Sequence, residues 1–169
     1  MLTKMNFKYL LHTLILSTLI TAFGYSQVPA KTLPDFEFFR PDKSSFTNKN
    51  LVTGSKMFFM FFDSGCDHCQ RAIKNIDEQY KSFAKTIIYL VSLDDNEKMK
   101  DFLNNFTKHL KFQKNVVLLR DTRNQFISRF KPYRYPGMFL YSADKKLIDY
   151  EDNAESVFRI AHYIGNTHS

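Results

Sequence analysis

Met57-Phe58-Phe59-Met60-Phe61-Phe62 is an unbroken apolar run that stops at Asp63-Ser64-Gly65, and Cys66-Asp67-His68-Cys69 follows at once. A run this short and this apolar suits a strand buried on both faces, as at the centre of a sheet covered by helices on either side. Beyond Cys69, apolar residues recur at Ile73, Ile76, Tyr80 and Phe83, three and four apart, which predicts a helix with one buried face. The two cysteines therefore stand where a central strand passes into a helix.

The rest of the chain repeats this alternation. Lys31 to Pro41 holds a proline-bounded strand around Leu33-Pro34-Asp35-Phe36-Glu37-Phe38-Phe39, and a polar connection is expected from there to Gly54. Thr86 to Leu93 reads as a second central strand. Asp94-Asp95-Asn96 then supplies helix-capping chemistry before a helix with Met99, Phe102, Leu103 and Phe106 on its apolar face. Val116 to Leu119 is a third such strand, and Phe126, Ile127 and Phe130 mark a short helix that must end near Lys131-Pro132. Gly137 to Ser142 and Lys146 to Tyr150 form a hairpin, and Val157, Ile160, Ala161 and Ile164 close the chain with an amphipathic helix. The expected fold class is α/β: a central mixed sheet flanked by helices on both faces.

The N-terminus reads differently. Lys4 and Lys8 precede an apolar stretch from Leu10 to Phe23, and Gly24-Tyr25-Ser26 places small residues before a cut at Gln27. That order is the order of a secretory signal peptide, so residues 1–26 are expected to be a leader and residues 27–169 a single domain. The apolar stretch is short for a bilayer span, so no stable membrane insertion is expected after cleavage, an uncleaved anchor being the alternative. Export to a periplasmic or other extracytoplasmic space places the cysteines where disulfides persist. The formal net charge of +7 over 169 residues falls without the leader's two lysines and is not clustered, which argues against nucleic acid as a partner.

With only two cysteines, three positions apart, a bridge between them would close too small a loop to stabilise much, so their purpose is chemical. Cys66 is expected in the first turn of its helix, where unpaired N–H groups favour a thiolate, and Cys69 one turn further on, beneath it. A protonated His68 would favour the Cys66 thiolate and Asp67 would oppose it. The Cys66 thiolate could attack a partner's disulfide and Cys69 could then resolve the mixed disulfide; run backwards, the pair oxidises dithiols. Zinc would need two more ligands, and His68, His109, His162 and His168 form no close pair, so no metal is expected. No glycine-rich phosphate loop suggests a nucleotide, and the pair needs no cofactor beyond its own disulfide.

A strand entering C-x-x-C at a helix start, a βαβ unit, and then a proline before a hairpin together resemble the thioredoxin fold. The N-terminal strand and the exported setting resemble the TlpA/ResA-like thiol–disulfide oxidoreductases, over roughly residues 31 to 166. The resemblance implies that Pro136, in Tyr133-Arg134-Tyr135-Pro136-Gly137, is a cis-proline facing the cysteines. It also implies that the Tyr135 backbone binds an extended substrate segment. The implied partners are extracytoplasmic proteins with thiols or disulfides, together with a redox partner protein. Three positions depart from the family: Gly65 stands where Trp precedes the first cysteine, Met60 where thioredoxins bury an acid, and Ala72 where a Glu often follows the second cysteine. The proton acceptor is then Asp63, Asp67, His68 or solvent. Two other functions remain open. One is a binding module that has lost the chemistry. The other is a peroxiredoxin-like thiol peroxidase, for which Asp63 stands where a Thr or Ser is usual. Arg129, Lys131 and Arg134 before Pro136 either steer acidic partners or form a solvated loop.

Overall fold

In the computed structural model, which describes residues 28–166, β3 (Lys56–Phe61) is the apolar run and occupies the middle of an open sheet. Its side chains alternate between the two faces: Phe58 and Met60 join one buried layer, Met57, Phe59 and Phe61 the other. Burial on both sides is why the run needs no polar residue. The leader expected at residues 1–26 lies outside the described residues, among which no helix is long and apolar enough to cross a membrane.

The strands are β1 (Glu37–Phe39), β2 (Ser45–Thr47), β3, β4 (Thr86–Ser92), β5 (Val116–Arg120), β6 (Gly137–Tyr141) and β7 (Leu147–Glu151), in the spatial order β2-β1-β5-β4-β3-β6-β7. β3, β4 and β5 run parallel, whereas β6 is antiparallel to β3 and pairs with β7 as a hairpin. The helices are α1 (Asp67–Glu78), α2 (Asn96–Phe106), α3 (Gln125–Phe130) and α4 (Ser156–Asn166). α1, α2 and α4 cover one face with Ile73, Ile76, Met99, Phe102, Val157 and Ile160, while α3 covers the other with Phe126 and Phe130. The mixed sheet with helices on both faces is the architecture expected from the sequence.

Two details at the N-terminal side differ from expectation. β1 begins at Glu37, not at Leu33: Leu33 and Phe36 are buried against the aromatic layer, but the Phe36 N–H and the Pro34 carbonyl bond the side chain of Asn48 and join no ladder. The expected polar connection to Gly54 contains β2, which pairs antiparallel with β1 through Phe38 opposite Phe46. Phe46 is the only apolar residue of that three-residue strand, too short for any periodic signal.

Long-range polar ties lock the layers. Asp77, near the end of α1 and buried, accepts hydrogen bonds from the backbone N–H groups of Lys108, His109 and Leu110 at 2.9, 2.8 and 2.6 Å. Burial opposes the Asp77 charge, yet the three donors outweigh it and hold the carboxyl below the usual carboxylate range. Gly137 opens β6 where a Cβ would come within 2.8 Å of the Pro132 Cβ, so the absence of a side chain there lets the loop before β6 lie against the sheet.

Candidate active site

The loop that carries the cysteines is pinned from both ends. Phe62 donates to the Val91 carbonyl at 3.0 Å, which ends the pairing of β3 with β4. Asp63 then folds the turn on itself: its carboxylate accepts from the Gly65 N–H at 2.8 Å and its carbonyl from the Cys66 N–H at 3.1 Å. Asp94, from the loop after β4, accepts the Ser64 N–H at 2.9 Å and the Ser92 hydroxyl at 3.2 Å. Burial works against the Asp94 charge, but these donors hold its carboxyl below the usual range. The sequence suggested helix-capping for the whole Asp94-Asp95-Asn96 stretch; Asp95 is the N-cap of α2, and Asp94 ties the cysteine loop to its neighbour.

Cys66 is the N-cap of α1, one position before the first turn in which it was expected, with no side-chain capping bond. A residue such as Ser or Asp there would occupy the first-turn amides with its own oxygen. Cysteine makes no such bond and leaves those amides without a side-chain acceptor at the end of the helix where negative charge is favoured. Cys66 is half-buried, whereas Cys69 is completely buried in the layer beneath α1. The Cys69 thiol is within hydrogen-bonding reach of the Cys66 sulfur, and its acidity is strongly reduced, first by burial and further by Cys66 and the Asp63 charge. The pair is thus graded: an outer sulfur at a helix tip and an inner thiol that keeps its proton. The two are not bridged in this structure.

The other expected residues are arranged around this pair. Asp67 is exposed in the first turn of α1. His68 is exposed too, and Arg71 lies 2.8 Å from its Nδ1. Arginine has only donors, so Nδ1 is the acceptor in this contact. The Tyr135–Pro136 bond is cis. Tyr135 stacks on Phe61 with ring centroids 5.0 Å apart and touches both buried layers, one of which holds Cys69 and borders Cys66. Burial, followed by the negative charge of Asp63, makes its phenol a weaker acid than usual. Tyr135 separates two surface cavities. One, of about 230 Å³, is lined by His68, Arg134, Tyr135, Asp152 and Asn153; the other, of about 190 Å³, by Phe61, Ile127, Pro132, Tyr133, Arg134 and Tyr135. Of the three cations before Pro136, Arg134 pairs with Asp152 at 2.9 Å and Arg129 donates to the Asp35 carbonyl at 2.9 Å, which leaves Lys131 as the exposed charge of the three without such a bond.

Sequence reasoning missed Asp94 as the anchor of the cysteine loop and Asp121, which is buried and accepts from the N–H groups of Arg123 and Phe126 at the entry to α3. Both fall within two residues of the end of a central strand, a position in which an acid signals a loop tie as readily as a cap.

A central strand that delivers a half-exposed cysteine to a helix N-cap, with a cis-proline loop alongside, defines a thioredoxin-like protein. Residues 29–150 match the model of the AhpC/TSA family, and the chain belongs to that family. Solved structures agree on the fold. A peroxidoxin, BcpB, of Mycobacterium tuberculosis is 15% identical with a TM-score of 0.66, over 83% of this chain and 97% of that one. The thioredoxin domain of a Bacteroides vulgatus thiol-disulfide oxidoreductase is 19% identical with a TM-score of 0.66, over 83% of this chain and 100% of that one. A secreted M. tuberculosis disulfide oxidoreductase homologous to E. coli DsbE is 17% identical with a TM-score of 0.62, over 78% and 95% of the two chains. The sequence matches none of the curated proteins.

Proposed function

We propose that this protein is an exported thiol–disulfide oxidoreductase of the TlpA/ResA-like kind, exchanging disulfides with extracytoplasmic proteins through Cys66 and Cys69. The observation that carries the reading is the gradient between the two sulfurs: Cys66 is reachable at the helix N-cap, and Cys69 is buried within hydrogen-bonding reach of it. In the reducing direction the Cys66 thiolate attacks one sulfur of a partner's disulfide. A mixed disulfide forms and the partner's other sulfur leaves as a thiolate, which takes a proton from solvent. Cys69 then gives up its proton and attacks Cys66. The Cys66–Cys69 disulfide forms, the partner's second thiolate leaves, and two electrons have passed to the partner. Oxidation is the same sequence reversed. Asp63 is the acid whose charge acts on Cys69, so it is the nearest candidate to help that proton leave. A partner's strand lies along Tyr135, between the two cavities that Tyr135 borders.

The test is covalent trapping. Cys69→Ser is expected to accumulate mixed disulfides through Cys66 with partners that carry a disulfide, and Cys66→Ser to accumulate none. Failure of Cys69→Ser to trap any partner or to form a mixed disulfide with a model disulfide overturns the reading. The AhpC/TSA match also fits a thiol peroxidase, so peroxide consumption is measured alongside. Rapid consumption through Cys66 without disulfide exchange replaces the oxidoreductase reading, and neither activity leaves a binding module. Direction follows from the reduction potential: near about −270 mV the pair reduces its partners, near about −120 mV it oxidises them.

A further inference from the structure

The parallel strands all begin at one edge of the sheet and end at the other, where Cys66 stands. Along the beginning edge the connections carry lysine. Lys56 opens β3, Lys85 directly precedes β4, and Lys114 lies two residues before β5. Lys145 and Lys146 are in the turn after β6, which ends at this edge because it runs antiparallel to β3. β5, β4, β3 and β6 are neighbours in that order, so at about 4.8 Å per strand these lysines make a row roughly 15 Å long. Lys81, between α1 and β4, and Lys108 and Lys111, between α2 and β5, widen the row on the helical side. Lys31 joins it where Thr32 bridges to Lys146. Scattered through the sequence, these charges read as unclustered; the fold gathers them.

Acid is scarce on this edge. Asp144 pairs with Lys146 at 3.1 Å, Asp77 is buried and held by three backbone N–H groups, and Glu78 stands at the end of α1. Lys81, Lys85, Lys108, Lys111, Lys114 and Lys145 enter no ion pair among the described residues. The Cys66 edge, in contrast, mixes Asp63, Asp67 and Asp94 with Arg71 and Lys98.

A second observation stands beside the charge. Phe112, between Lys111 and Lys114, is 75% exposed, the most exposed large apolar side chain among the described residues. Val52, in the turn leading into β3, is exposed as well. A bare ring amid cations on a flat edge suits the boundary of an anionic bilayer, where the ring enters the headgroup layer and the ammonium groups meet phosphates. The cations of these connections are all lysine, a compact charge suited to a diffuse negative surface, whereas a shaped phosphate site draws on the fork of arginine.

We propose that this edge docks on an anionic lipid surface, with Phe112 seated at the headgroup boundary and the lysine row over the phosphates. Cys66, at the opposite edge, then faces away from the membrane. The proposal rests on the placement of charge and ring and does not depend on the redox reading.

Sedimentation of the full chain with vesicles of mixed phosphatidylglycerol and phosphatidylcholine, against phosphatidylcholine alone, tests it. Any contribution from the apolar stretch Leu10 to Phe23 favours both vesicles alike, so the difference between them reports charge. Anionic vesicles are expected to bind at least about tenfold more tightly, with the advantage falling as salt rises. Lys85→Gln combined with Lys114→Gln should weaken that binding about twenty-five-fold, roughly fivefold for each lysine. Lys43→Gln combined with Lys98→Gln removes the same charge from elsewhere and should change it less than about twofold. The chain has no tryptophan, so Phe112→Trp supplies a single reporter whose emission should shift to the blue with anionic vesicles alone. If circular dichroism shows the first pair unfolded, Lys114→Gln by itself decides, with a loss of about fivefold expected. Equal binding to both vesicles, equal losses in the two paired variants, or unmoved emission from Phe112→Trp overturns the inference. Duplex DNA bound as tightly as anionic lipid, and weakened by the same lysine pair, overturns it too and reassigns the edge to nucleic acid.

Discussion

The two faces of the sheet are packed with different chemistry. Under α1, α2 and α4 the buried layer is mostly aliphatic, with Phe58, Phe62, Phe83 and Phe102 its only rings. On the opposite face ten of the fourteen buried residues are Phe or Tyr. The difference follows from what covers each side. Three helices of eleven or twelve residues supply enough branched side chains to seal the first face. The second has only six-residue α3 and the strand and loop segments around β1 and β2, so large rings have to span the gap. Phe130 shows this most plainly: its ring packs against those of Phe36, Phe38, Phe59, Phe126, Phe139 and Tyr141. Large rings thus do the work of missing helix, and each carries more of its layer than any single aliphatic residue carries of the other.

That contrast can be broken at several points. Phe130→Ala is expected to cost about 4 kcal/mol in denaturant unfolding, because no neighbouring helix can settle into the hole. A loss nearer that of an ordinary aliphatic truncation would show the aromatic layer to be more adaptable than its packing suggests. On the helical face the polar tie should matter nearly as much as packing. Asp77→Ala strands three buried N–H groups and is expected to cost about 3 kcal/mol, with faster hydrogen exchange at residues 108–110 as its local signature. Ile76→Val, a one-methylene change in the aliphatic layer, should cost only about 1 kcal/mol and leave thiol exchange as it was.

The smallest effect is one of pH, at the cysteine loop between the two layers. The Asp94 carboxyl is depressed in the folded chain, so its tie to Ser64 contributes fully above the unfolded carboxyl value of about 3.9. That contribution is lost as acid protonates Asp94 through its lower folded value. Amide exchange at Ser64 should therefore accelerate, relative to the intrinsic rate, below about pH 4, while Asp94→Asn should show the faster exchange already at neutral pH.

The parts legible in sequence are those with a period or a run. β3 announced itself by six apolar residues, α1 by its three- and four-residue spacing, and the cysteine site by the junction of the two. Pro136 was legible from its place before the apolar strand, and its bond to Tyr135 is cis as the resemblance implied. What could not be read were pairings with distant partners. Asp77 is one polar residue on an otherwise apolar helix face, and its donors lie more than thirty positions away. Asp94 looked like part of a cap because its partner, Ser64, is likewise thirty residues off. β2 exists because β1 offers it an edge, a fact that three residues with one ring cannot announce.

The depth of Cys69 has a consequence for counting. No surface of that side chain meets solvent, so its sole approach is through its outer neighbour. An alkylating reagent added to the reduced, folded protein should consume one equivalent at Cys66 and halt, and the second equivalent should appear only at the rate at which the chain unfolds. Stoichiometry against time then becomes a clock for the opening of the whole sheet.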